Sequence, residues 1–164
     1  MNLTVTAMKR GDWKAVRGIY AEGISTGTAT FERRPPNWEA WDRSHVDRCR
    51  LVARRGSEVL GWVALSAVSS RCVYAGVAEV SLYVRASARR RGVGKALLQR
   101  LIEESERVGI WTLQGGVFPE KTPSIALLKT CGFREVGCRE RLGEMNGVWR
   151  DVLLFERCSS KVGV

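Results

Sequence analysis

Residues Val84 to Lys95 place the tightest constraint on the fold. The segment reads Val84-Arg85-Ala86-Ser87-Ala88-Arg89-Arg90-Arg91-Gly92-Val93-Gly94-Lys95, five cations in eleven residues from Arg85. It lies where a β-rich run hands over to an amphipathic helix, predicted over Gly92 to Val108. Val93, Ala96, Leu97, Leu101 and Ile102 form one face of that helix, and Arg100, Glu103, Glu104 and Glu106 the other. Cations at a helix N-terminus oppose the macrodipole, so helix stability alone does not favour them there. An anion held by the free N–H groups of the first turn resolves the conflict, and glycines let it approach closely.

Two phosphate motifs fail on inspection. A P-loop needs Gly at the position of Arg89 and Ser or Thr at that of Ala96. A dinucleotide fingerprint needs Gly at the position of Leu97 and an acidic residue on the following strand.

The elements around this segment set the fold class. Strands are predicted at Leu3–Ala7, Leu51–Arg54, Val59–Ala67, Val73–Val84 and Trp111–Phe118, with a final hairpin of Phe133–Arg141 and Val148–Phe155 turning at Asn146-Gly147. A first helix follows Asp12 as N-cap and carries Val16, Ile19 and Tyr20. A second follows Asn37, through Trp38, Trp41 and His45. A last one starts near Pro123 and stops at Gly132. The order β-α-α-β-β-β-α-β-α-β-β predicts one α/β domain over residues 1–164, a mixed sheet with helices on both faces.

Composition narrows the function classes. The net charge of +10 suits an anionic partner: nucleic acid, a membrane surface or a phosphorylated cofactor. No apolar run approaches the ~20 residues of a membrane span, and the N-terminus has no signal-peptide pattern. Five cysteines with no C-x-x-C pair argue against a disulfide framework and for a reducing, cytoplasmic setting. With one histidine, His45, read as a surface residue, no metal site is expected. The six tryptophans are scattered, which favours packing over base stacking, and Cys72 and Cys131 read as inert thiols.

Arg89-x-x-Gly92-x-Gly94, after a strand and before an amphipathic helix, resembles the acyl-CoA pyrophosphate loop of the GNAT N-acetyltransferases. The resemblance covers nearly the whole chain. Ile19 to Glu32, Arg71 to Glu79, Ser81 to Val84, Pro123-Ser124 with Gly132-Phe133, and Gly147-x-Trp149-x-Asp151-Val152 resemble the phosphinothricin, methionine sulfoximine and arsinothricin N-acetyltransferases. Val68 to Val84 is most similar to the arsinothricin branch.

The resemblance implies a mostly antiparallel sheet splayed at the CoA site, acetyl-CoA as co-substrate, and a homodimer. It implies that Arg89, Arg90, Arg91, Gly92, Val93, Gly94 and Lys95 hold the pyrophosphate and that the backbone of Leu82, Tyr83 and Val84 pairs with pantetheine. Lys121 and Thr130 fall at further CoA contacts. Glu79 falls at the general base, and Phe31, Arg71, Val73 and Tyr74 at the acceptor site.

The chemistry asks for such residues. Acetyl transfer needs a neutral amine, and a carboxylate can take its proton directly or through water. Burial among Val77, Ala78 and Val80 is expected to raise the Glu79 pKa; a solvent-facing or arginine-paired glutamate is the alternative. An arginine fork binds two acid oxygens at once, which suits Arg71, although a surface arginine reads the same. Tyr74 and Phe31 read equally as ordinary packing residues.

Three positions depart from the family pattern. Lys121 replaces the usual Asn, Leu128 the usual His or Tyr, and Ser69 a second basic residue. The reading is therefore direct acetyl transfer, in a ternary complex, to the amino group of a small acidic amino-acid analogue. Ordinary amino acids or protein N-termini are the rival acceptors. A nucleic-acid-binding protein or a non-catalytic CoA-binding domain is the rival class.

Overall fold

The computed structural model describes residues 2–164. The chain runs β1 (Leu3–Ala7), α1 (Trp13–Ser25), α2 (Trp38–Ser44), β2 (Leu51–Arg55), β3 (Glu58–Ala67), β4 (Val77–Val84), α3 (Val93–Arg107), β5 (Thr112–Val117), α4 (Thr122–Thr130), β6 (Arg134–Met145) and β7 (Val148–Cys158). One seven-stranded sheet has the order β1-β2-β3-β4-β5-β7-β6, and only β4 and β5 run parallel. The order of elements and the mixed, mostly antiparallel sheet match the sequence reading.

Helices cover both faces. On one, Val93, Leu97, Leu98 and Leu101 of α3 pack with Val63, Leu65, Leu113 and Phe155 of the sheet. Each such buried side chain stabilises the fold by about 1.5–3 kcal/mol. On the other, Val16, Ile19 and Trp41 pack on Val52, Trp62 and Ala64. Trp38 stacks on Trp41 and Trp13 packs tilted against it, so most of the tryptophans are packing residues, while Trp149 is 58% exposed on the hairpin.

Three local expectations are corrected. The strand predicted from Val73 begins at Val77. Cys72–Tyr74 form a 3-10 turn instead, because β3 ends opposite Ala78 and leaves this stretch no neighbouring strand to pair with. Asp12 makes no side-chain cap on α1. Its carboxylate accepts from Arg54 Nη2 (2.6 Å) and Lys9 N–H (2.8 Å), an ion pair that outcompetes the cap. The hairpin arms run longer than predicted, to Met145 and Cys158, around Asn146 (φ 52°) and Gly147 (φ 78°). Paired positive φ values are the backbone of a tight hairpin turn that suits Asn-Gly. Asn37 does cap α2, its Oδ1 accepting from Ala40 N–H at 2.9 Å, and Gly132 (φ 86°) ends α4.

Candidate active site

The parallel strands separate where the site forms. Their pairing covers only Val77↔Thr112, Ala78↔Leu113 and Glu79↔Gln114. Past that point Gly115, Gly116 and Val117 pair with β7 alone, and Val80 to Val84 pair with β3 alone. A strand edge without a neighbour leaves backbone N–H and C=O groups free for a ligand. A cleft of about 1080 Å³ opens there.

One end of the cleft is the N-terminus of α3. Gly92 sits at φ 81° as its N-cap and provides no side-chain cap, and Arg90 before it has φ 61°. The first intrahelical bond runs from Ala96 N–H to Gly92 O, so the N–H groups of Val93, Gly94 and Lys95 stay free of the helix ladder. Gly94 is packed tightly: a Cβ there would lie 3.1 Å from Leu127 Cδ2. Arg89, Arg90, Gly92, Val93, Gly94 and Lys95 line the cleft, and Arg89 Nε donates weakly to Val84 O (3.4 Å). Arg91 lies outside the lining. Arg85 is structural: its Nε donates to Val59 O at 3.1 Å and its guanidinium lies 3.7 Å from Glu22.

Lys121 also lines the cleft and donates to Thr28 Oγ1 at 3.2 Å, bridging from α4 to the loop after α1. Burial pulls its pKa down, and Arg89 adds to the shift. Thr130 lies outside the cleft, its hydroxyl donating to Ala126 O within α4.

The other end lies on the α1–α2 face of the sheet. Glu79, Tyr83 and Phe31 line it, while the side chains of Leu82 and Val84, also in the lining, turn to the α3 face. Glu79 is exposed, which corrects the expected burial. It faces the cleft rather than the core, and Gln114 Nε2 lies 3.4 Å from its Oε2. Tyr83 stacks between Tyr20 (4.7 Å) and Trp62 (5.1 Å), and burial pushes its pKa well up, reinforced by Tyr20. Phe31 meets Phe118 edge-on at 5.1 Å and lies over Gly143. Arg71, Val73 and Tyr74 are not part of the lining. They sit on the exposed turn before β4, Val73 61% exposed and the Arg71 guanidinium 5.2 Å above the Tyr74 ring.

Sequence reasoning missed Tyr20, Trp41, His45, Phe118 and Arg139, all of which line the cleft. Tyr20 and Trp41 showed only core-like helical spacing. His45 ends α2 half-buried and stacked on Trp41 at 4.3 Å, which corrects the expectation of a surface residue.

Residues 13–133 match the model of the acetyltransferase (GNAT) family. The chain belongs to this family. It is 33% identical to a phosphinothricin N-acetyltransferase of Alcaligenes faecalis, over 94% of this chain and 81% of that one. It is 28% identical to an L-methionine sulfoximine/L-methionine sulfone acetyltransferase of Pseudomonas aeruginosa, over 88% of each. A GNAT phosphinothricin acetyltransferase from Sinorhizobium meliloti, solved with acetyl-CoA, is 28% identical and superimposes with a TM-score of 0.88, covering 99% of this chain and 91% of that one. This GNAT chain is thus an N-acetyltransferase with acetyl-CoA as its co-substrate, and the uncapped helix and splayed strands suit the pyrophosphate and pantetheine.

Proposed function

We propose that the chain transfers acetyl from acetyl-CoA to the amino group of a small acidic amino-acid analogue, of the phosphinothricin, methionine sulfoximine or arsinothricin type. The observation that carries this reading is Glu79, a carboxylate at the last paired position of β4, where the strands part and both ends of the cleft meet. Acetyl-CoA supplies an activated thioester. The N–H groups of the α3 first turn, with Arg89, Arg90 and Lys95, hold its pyrophosphate. The free edge of Leu82 to Val84 aligns the pantetheine and offers backbone N–H groups to the charge that develops on the thioester oxygen. Glu79 binds the acceptor's ammonium and takes a proton from it, leaving the lone pair for direct attack in a ternary complex. Arg91 and Thr130, which do not line the cleft, serve at most peripherally.

Arg71, Val73 and Tyr74 remain the proposed holders of the acceptor's acidic end. A second reading, an acceptor with a neutral side chain, is favoured by their place outside the cleft and by three carboxylates, Glu32, Glu79 and Glu120, within it. The chain is proposed to act as a cytoplasmic homodimer. Val136, Val148 and Trp149, exposed on the terminal hairpin, supply apolar surface for a second copy.

Thiol release from acetyl-CoA, measured with phosphinothricin, methionine sulfoximine, arsinothricin, glutamate, methionine and a short peptide, tests the reading. Preference for an analogue with an acidic side chain and intersecting double-reciprocal lines are expected. Preference for methionine over all of these analogues selects the second reading. Parallel lines contradict direct transfer.

A further inference from the structure

His45, the single histidine of the chain, lines the cleft with its ring held in a defined orientation. Its Nδ1 lies 2.8 Å from the carbonyl oxygen of Trp41 and 3.0 Å from Ser44 Oγ. A carbonyl only accepts, so Nδ1 carries the hydrogen, and the neutral ring bears its lone pair on Nε2. Nε2 has no hydrogen-bond partner among the described residues. It is also not a sealed atom: the buried unpaired polar side-chain atoms are Trp41 Nε1 and Trp62 Nε1. The ring is clamped flat on Trp41 and edge-on to Trp62 at 6.3 Å. Val46 N–H donates to Leu65 O at 2.8 Å, which fixes this segment over the end of β3. There Ser66 stands directly opposite Glu79 across the β3–β4 ladder, and Ser66, Glu79 and His45 all line the cleft.

We propose that His45 Nε2 is a second proton acceptor of the acceptor pocket, working with Glu79. The inference rests on the acetyltransferase reading. Glu79 takes one proton from the ammonium, the amine's electron pair forms the new N–C bond, the thioester C–S bond breaks, and CoA leaves as the thiolate, which takes up the second proton shed by the nitrogen. The proton passes from the carboxyl to Nε2, directly or through one water. This restores the carboxylate and makes an imidazolium, which loses the proton to bulk water. Imidazole suits this step better than an exposed carboxylate alone, because its ordinary pKa lies about two pH units closer to neutrality.

The surroundings keep the ring neutral between turnovers. Burial lowers its pKa, the Trp41 carbonyl opposes that shift, and the charge of Arg50 adds to it. Arg50 is itself paired with Asp42 and donates to the His45 carbonyl at 3.0 Å. Glu79 is the charged group with which Nε2 is proposed to exchange its proton across the cleft. These surroundings favour the neutral, proton-accepting ring.

The test is His45→Asn, whose amide can keep the bond to the Trp41 carbonyl while Nε2 is lost. His45→Gln is the second variant. Acetyl-CoA binding at wild-type affinity shows that a variant is folded. The expected result is a fall in kcat/KM for the acceptor on the order of 10²-fold at pH 7, the low end for a general base. The acidic limb due to histidine disappears, and the deficit shrinks as pH passes the acceptor's own ammonium pKa. A structural role does not produce recovery at high pH. Folded variants with the wild-type rate and pH profile overturn the proposal, as does a deficit that is constant with pH. So does loss of acetyl-CoA binding in both variants, which makes the ring a packing group. A wild-type chain that neither binds acetyl-CoA nor releases thiol overturns the acetyltransferase reading itself, a result separate from any behaviour of the variants.

Discussion

Gly143→Ala is expected to weaken the acceptor's grip without touching the cofactor end of the cleft. A Cβ at Gly143 would stand 2.8 Å from Phe31 Cε1 and 2.9 Å from Cζ, far inside van der Waals contact. Either the β6 backbone gives way or Phe31 does. β6 is paired with β7 from this position onward, through Gly143↔Arg150 and Glu144↔Trp149, after an irregular stretch between Arg139 and Gly143, and overpacking a paired backbone costs about 1–3 kcal/mol. Phe31 sits in a loop and is 36% exposed, so it swings away at lower cost. What is then lost is its edge-on contact with Phe118, worth about 0.5–1.5 kcal/mol. Taking about 1 kcal/mol, the acceptor KM rises roughly 5-fold. The acetyl-CoA KM stays put, because the loop before α3 lies at the far end. Initial rates with each substrate varied in turn give both constants. An unchanged acceptor KM, or an equal rise in both, refutes the placement of Phe31 as a wall of the acceptor pocket.

Three further outcomes are expected. Replacing Arg89, Arg90 and Lys95 together with Ala raises the acetyl-CoA dissociation constant at least 10-fold, flattens its salt dependence, and leaves the melting temperature near wild type; titration calorimetry at two ionic strengths reads this. Asp12→Asn destabilises by about 1–3 kcal/mol, since Arg54 loses its partner in a half-buried setting. Burial raises the Asp12 pKa, but the Arg54 and Lys9 bonds outweigh it and the net shift is downward. The wild-type advantage is therefore present above the ordinary carboxylate range and fades as pH falls through the folded value, which urea melts between pH 7 and pH 3 detect. Gly76→Ala drives a Cβ to within 2.0 Å of the Trp111 ring and lowers the urea midpoint by an amount worth about 1–3 kcal/mol or more.

The parts of this molecule legible in the sequence are those fixed by local rules. The α3 stripe, the Asn37 cap, the Asn146-Gly147 turn and the cationic segment before α3 each depend on residues near one another, and each is found where expected. Errors arose where a distant partner decides. Val73 has strand propensity but no neighbouring strand, and Asp12 is taken by Arg54 from β2. Glu79 stands between apolar residues in sequence, but alternation along β4 turns it to the cleft. His45 looked exposed among Asp42, Arg43 and Asp47. Only the packing of α2 on Trp62 shows its ring stacked in the cleft wall. The same limit applies to Arg71, Val73 and Tyr74, whose adjacency to β4 in sequence does not bring them into the cleft.

The most direct test of the central claim compares wild type with Glu79→Gln. Thiol release from acetyl-CoA is followed at pH 7 with the acceptor that wild type uses best, alongside calorimetric binding of acetyl-CoA. The account predicts that the variant binds acetyl-CoA as wild type does while kcat/KM for the acceptor falls about 10²- to 10⁴-fold. A variant that binds acetyl-CoA and turns over at the wild-type rate contradicts it.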